Sequence, residues 1–225
     1  MTRAAAIVQR FGNEQEPVII IDNFCGELDR LVAAGLSAEY QAVMGYPGVR
    51  APADVRYLSP HGDVLADLLY ETFGFSVGFR VQSCSYSIVS TPPEALAANQ
   101  RIPHYDDTGP DLLAFLHYTG APDTGGTAFY RHRRTGYETV TLKRQDAYRL
   151  ALREDDRLFG APSPGYCYGD TERYEMIGEV DARPDRMVIY RGRTLHSGII
   201  PDDLPLVADP KRGRLTVNTF ATGVS

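Results

Sequence analysis

The segment FRVQSCSYSIV, residues 79–89, alternates large and polar side chains with a period of two. That period belongs to an extended chain with one buried face. GRLTVNTF, residues 213–220, does the same, so Arg214, Thr216, Asn218 and Phe220 share one face. Shorter runs rich in β-branched and aromatic residues, at 17–24, 112–118, 174–180 and 186–190, read as further strands. Helical spacing appears earlier, in Leu28, Leu31, Val32 and Leu36, and again in Val64, Leu65, Leu68, Leu69 and Phe73, with Asp63 placed to cap the second helix. A loop through Pro47, Pro52 and Pro60 joins the two, residues 143–157 read as a charged surface helix, and Gly125-Gly126 reads as a tight turn. Helices followed by many short strands predict an α+β, mainly β chain with a mostly antiparallel sheet. The leading architecture is a double-stranded β-helix, or jelly roll, with the N-terminal helices packed on one sheet and one open end for a site.

A chain of 225 residues suits a single domain, 1–225. With 43% hydrophobic and 23% charged residues it can bury a real core and is not a mainly disordered chain. The net charge of −6 gives no support to nucleic-acid binding. Cys25, Cys84 and Cys167 are far apart and lack CxxC spacing, which indicates neither a disulfide framework nor a zinc knuckle and fits a reducing cytoplasm. The apolar run from Ala4 to Val8 ends too early for a signal peptide, and no stretch approaches the roughly 18 apolar residues of a membrane span.

Two His-x-Asp triplets occur. His61-Gly62-Asp63 sits at a helix start, whereas His104-Tyr105-Asp106 precedes a buried strand, where residues two apart point to one face. By itself the second triplet is as readily a polar turn as a pair of metal ligands. His196 follows downstream after the strand in DRMVIYRGRTLHSG, and Arg214 after that. Two neutral imidazoles and one carboxylate form the facial set that holds non-heme Fe(II) with open coordination positions. A permanently charged guanidinium forks onto a carboxylate, so it suits the far end of a chelating dicarboxylate, with Thr216 on the same face as a further donor.

In this order IIIDNF, SCSYSIV, PHYD, FLHYTGAPDTGGTAFYR, DRMVIYRGRTLHSG and GRLTVNTF resemble segments of the Fe(II)- and 2-oxoglutarate-dependent oxygenases, especially their prolyl-hydroxylase-like branch and a bacterial subfamily within it. The resemblance implies His104, Asp106 and His196 as iron ligands, and Arg214 as the partner of the distal carboxylate of 2-oxoglutarate. It adds Thr216, Tyr86 and Tyr118 as hydrogen-bond partners of that co-substrate. It further implies a dioxygenase that uses Fe(II), 2-oxoglutarate and O2 to hydroxylate an amino acid, peptide or protein side chain. Asp106 as a ligand argues against halogenation. Arg212 rivals Arg214 for the anchor, although Arg214 has the strand alternation on its side.

Arg193, three residues before His196, and Arg131, in the basic run Arg131–Arg134, are candidates for substrate contact; a solvated basic edge is the plainer account of that run. Two other classes stay open beside the oxygenase: a non-catalytic metal- or ligand-binding protein on the same fold, and a cupin-like metal enzyme that does not use 2-oxoglutarate. The partner is a small molecule or a peptide or protein, with no nucleic acid and no membrane. Oligomeric state is not readable from the sequence.

Overall fold

The computed structural model describes residues 6–120 and 124–225; residues 1–5 and 121–123, which hold the start of the Ala4–Val8 run and part of the turn before Gly125, lie outside them. The strands are β1 (Ala6–Phe11), β2 (Glu16–Ile21), β3 (Gln41–Ala42), β4 (Gly48–Pro52), β5 (Gly78–Val89) and β6 (Leu112–Tyr118). They continue with β7 (Gly126–His132), β8 (Tyr174–Asp181), β9 (Arg186–Arg191), β10 (His196–Ile199) and β11 (Arg214–Val224). The helices are α1 (Leu28–Leu36), α2 (Gly62–Phe73) and α3 (Gln145–Phe159). An eight-stranded sheet runs β1-β2-β9-β6-β11-β5-β4-β3, and a three-stranded sheet runs β10-β7-β8; the pairings are antiparallel throughout. The chain is therefore mainly β, with one large antiparallel sheet and few helices.

Apolar side chains of the central strands divide by parity. Ile19, Ile21, Leu113, Phe115, Met187 and Ile189 form one core with Leu65, Leu69 and Phe73 of α2. Val18, Ile20, Leu116, Tyr118, Val188 and Tyr190 form another, with Phe129 and Val180 of the small sheet. Both faces are covered, which is why these strands read as unbroken apolar runs. Each fully buried Leu or Ile contributes about 1.5–3 kcal/mol by leaving water.

Several expectations are corrected locally. α2 begins one residue before Asp63, after His61, and no side chain caps it; Asp63 lies in its first turn. The proline loop holds the hairpin of β3 and β4 and a 3-10 segment, Val55–His61, that contains Pro60. β1, unpredicted, pairs with β2 along its whole length. No helix among the described residues is long and apolar enough to cross a membrane.

Candidate metal and co-substrate site

Between the two sheets lies a cavity of about 570 Å³. Its position follows from β-pairing. His104 forms an isolated antiparallel bridge with His196, the first residue of β10, with each backbone N–H donating to the other's carbonyl at 2.9 Å. Asp106 donates its N–H to the Gly192 carbonyl at 2.7 Å, which ties the next inward-facing residue to the turn after β9. The imidazole centroids of His104 and His196 are 4.3 Å apart. Asp106 Oδ1 is 3.9 Å from His104 Nε2, and Asp106 Oδ2 is 3.7 Å from His196 Nε2. One ligand atom from each of the three residues lies within 4.8 Å of the others.

The protonation states suit ligation. His196 Nδ1–H donates to the Thr194 carbonyl at 2.8 Å, leaving the Nε2 lone pair toward Asp106. Burial lowers the His196 pKa to about 4; His104, whose side chain is 54% exposed, is pushed in the same direction by the desolvated cavity it borders and by the neighbouring His196. Burial raises Asp106 to about 6. At neutral pH the set is two neutral imidazoles and one carboxylate. Asp106 Oδ2 is buried without a hydrogen-bond partner among the described residues. A buried carboxylate oxygen left open beside two free imidazole nitrogens is costly unless a cation takes it, so these residues fit a divalent metal of the kind bound by His and carboxylate. A second cluster, Cys25, His117 and Asp185, differs: both oxygens of Asp185 already accept hydrogen bonds, from His117 Nε2 and from the backbone N–H groups of Cys25 and Gly26 at 2.9–3.0 Å.

Arg214 lines the same cavity. Only 5% exposed, it donates from Nε to the Thr124 carbonyl at 2.9 Å and from Nη2 to that of Gly126 at 3.0 Å, and its guanidinium lies 5.5 Å from the Tyr118 ring centroid. Arg212 is exposed. Thr216 and Tyr118 face each other across β11 and β6 on the inner face. Their hydroxyls are already engaged, Thr216 with Asn218 Oδ1 at 2.8 Å and Tyr118 with Thr127 Oγ1 at 2.7 Å, so it is Asn218 and Thr127 that border the cavity.

Three candidates lie elsewhere. Tyr86 stands opposite Val217 in the β5–β11 register, on the outer face, where its hydroxyl donates to the Leu31 carbonyl at 2.9 Å. Arg131 is committed to Glu138 at 2.7 Å and Glu175 at 2.8 Å, and the buried Glu138 in turn accepts from the backbone of Asn13 and Glu14. Arg193 pairs with Glu16. Neither arginine lines the cavity, because each secures the β1–β2 hairpin to the rest of the fold.

Sequence reasoning missed Arg50 and Tyr46, which reach the cavity from β4 and the turn before it. The only available signal was the alternation within β4, where Val49 and Ala51 pack outward and Arg50 turns inward.

A family model described as a family of unknown function (DUF6445) matches residues 2–221. No curated protein matches the chain in sequence. Among solved structures, the non-heme alpha-ketoglutarate-dependent epimerase SnoN from nogalamycin biosynthesis aligns over 93% of this chain and 79% of its own, at 13% identity and a TM-score of 0.53. HygX from Streptomyces hygroscopicus, with nickel, 2-oxoglutarate and hygromycin B bound, aligns over 93% and 84%, at 12% identity and a TM-score of 0.51. At such identities the likeness is one of fold.

Proposed function

The chain belongs to DUF6445, a family of unknown function, and from its site we propose that it is an Fe(II)- and 2-oxoglutarate-dependent oxygenase on a double-stranded β-helix scaffold of the prolyl-hydroxylase-like kind. One observation carries the reading: two neutral imidazoles and a carboxylate with an open, buried oxygen converge in a cavity that also holds an immobilised arginine with no acidic partner among the described residues. His104, Asp106 and His196 would hold the metal, and Arg214 would bind the distal carboxylate of 2-oxoglutarate. When bound, the metal and 2-oxoglutarate supply the oxidising chemistry. The protein's own residues orient and shield. Thr194 fixes the His196 tautomer, the Thr124 and Gly126 carbonyls aim Arg214, and Tyr190, whose ring packs 4.8 Å from that of His196, helps keep water from that side of the ligand set. The substrate is oxidised in the remaining space, and hydroxylation is the expected outcome.

The test is succinate formation from 2-oxoglutarate with Fe(II), ascorbate and oxygen, run beside anaerobic titration of Fe(II) and 2-oxoglutarate. Binding and turnover that are lost in His104→Ala and Arg214→Ala support the reading. Binding without turnover under any substrate points to a binding protein. Metal-dependent turnover indifferent to 2-oxoglutarate points to a cupin-like enzyme.

A further inference from the structure

Arg50 is the charged residue of this cavity that neither the metal nor 2-oxoglutarate accounts for. It sits on β4, opposite Ser87 of β5, and its guanidinium lies 4.2 Å from the Tyr46 ring centroid. It lines the same cavity as His104, Asp106 and His196. Among the described residues its buried Nε has no hydrogen-bond partner, and no carboxylate pairs with it. Among the other partly or fully buried arginines, Arg131, Arg173, Arg186, Arg191 and Arg193 each hold an Asp or Glu, and Arg101 and Arg214 hold backbone carbonyls, whereas Arg50 has neither among the described residues. A buried charged donor left open carries a desolvation cost that an incoming acceptor removes.

Charge balance points the same way. Among the described lining residues Arg50 and Arg214 are positive and Asp106 is negative, and a histidine that ligates a metal does so as a neutral imidazole. A divalent metal and the dianion of 2-oxoglutarate cancel, which leaves one positive charge. One carboxylate neutralises it, whereas a phosphate dianion overshoots. Tyr46, Tyr166 and Phe220 supply apolar and aromatic wall around the same space.

We infer that the substrate of this site is a small monocarboxylate with an apolar body, whose carboxylate is bound by Arg50. The inference rests on the oxygenase reading for its charge count, but Arg50 is read out separately. The probes are 3-phenylpropionate and N-acetylphenylalanine, each beside its carboxamide. They are titrated calorimetrically and without oxygen into the protein loaded with Fe(II) and 2-oxoglutarate, and into Arg50→Gln and Arg50→Lys variants whose melting confirms folding. The expected result is that the parent prefers at least one acid over its amide by about tenfold, as a charge-assisted pair provides. Arg50→Gln should lose that preference, Arg50→Lys should keep part of it, and 2-oxoglutarate affinity should change less than about twofold in both. Equal binding of acid and amide by the parent, or no binding of either, overturns the inference. So does a loss of 2-oxoglutarate affinity in Arg50→Gln as large as in Arg214→Gln, because Arg50 would then serve the co-substrate. Failure of the parent to bind Fe(II) and 2-oxoglutarate overturns the oxygenase reading instead, and the acid-to-amide ratio of the unloaded protein still reports on Arg50.

Discussion

His104 and His196 exchange both of their backbone hydrogen bonds, at 2.9 Å each, so the main chain sets the spacing of the two imidazoles. The bridge does not need the rings, and His104→Ala or His196→Ala is expected to fold as the parent does. A divalent metal at about a hundred times its dissociation constant adds about 2.7 kcal/mol to the unfolding free energy of a protein that binds it only when folded. Thermal unfolding with and without metal should show that gain in the parent and little of it in either variant.

Arg214 enters the cavity from an interior strand, whereas Arg212 points to solvent. Charge-assisted hydrogen bonds contribute about 1.5–3 kcal/mol, so Arg214→Ala should weaken 2-oxoglutarate binding by roughly tenfold to a hundredfold. Arg212→Ala should leave it within about twofold. Anaerobic titration decides between them, and a larger effect from Arg212→Ala would move the anchor to that residue.

Gly192 is packed against the ligand set. A Cβ there would lie 2.9 Å from Leu112 Cδ2 and 3.2 Å from Asp106 Cβ. The leucine tip can rotate away, but Asp106 can yield only by leaving the imidazoles. Gly192→Ala should keep its melting temperature within about 4 °C, equivalent to about 1 kcal/mol in a chain this size, and lose about tenfold or more in metal affinity. Unchanged affinity would show that the carboxylate tolerates displacement.

Tyr86→Phe removes a buried donor from the Leu31 carbonyl on the outer face of the sheet. The expected cost is about 1 kcal/mol of stability, read by denaturant unfolding. 2-Oxoglutarate turnover should be unaltered, and a selective loss of it would place this hydroxyl back in the site.

Asp185 gives the fold an acid-sensitive clasp. Burial opposes its ionisation, but hydrogen bonds from His117, Cys25 and Gly26 outweigh that and hold its carboxyl below the usual range. The stabilisation is full above the unfolded-state value of about 3.9 and fades as pH falls through and below it. Asp185→Asn should therefore destabilise the protein by about 3 kcal/mol at pH 7, as breaking a buried pair does. The gap to the parent should narrow as unfolding is measured at pH values descending past about 4, and a gap independent of pH would rule out the clasp.

Legibility followed side-chain periodicity. β5 and β11 alternate because one face packs and the other is polar, and Leu112–Tyr118 reads as an unbroken apolar strand because the two cores grip it from both sides. β1 offered no such signal, since its middle residues are exposed and its attachment runs through Glu138 and Glu16, residues with no periodicity of their own. The order of His104, Asp106, His196 and Arg214 was visible, but their convergence depends on a single bridge between distant segments. Tyr86 shows the limit most plainly: alternation says that neighbours face opposite ways, and only the pairing with Val217 says which way is out. Arg50 lacks any motif and acquires meaning only from what it fails to pair with.

The hairpin of β3 and β4 closes one margin of the large sheet, with β3 only two residues long, while His196 lies on β10 of the small sheet, His104 and Asp106 are tied to β10 and to the turn after β9, and Arg214 lies on the interior strand β11. Demands on the two regions are thereby uncoupled. Changes in the hairpin alter the wall that Arg50 and Tyr46 give the cavity without replacing His104, Asp106, His196 or Arg214, and a margin so short offers other chains little to zip onto. A lineage built on this plan can reshape its cavity through one small flap of sequence while the cluster of two histidines, an aspartate and an arginine stays constant.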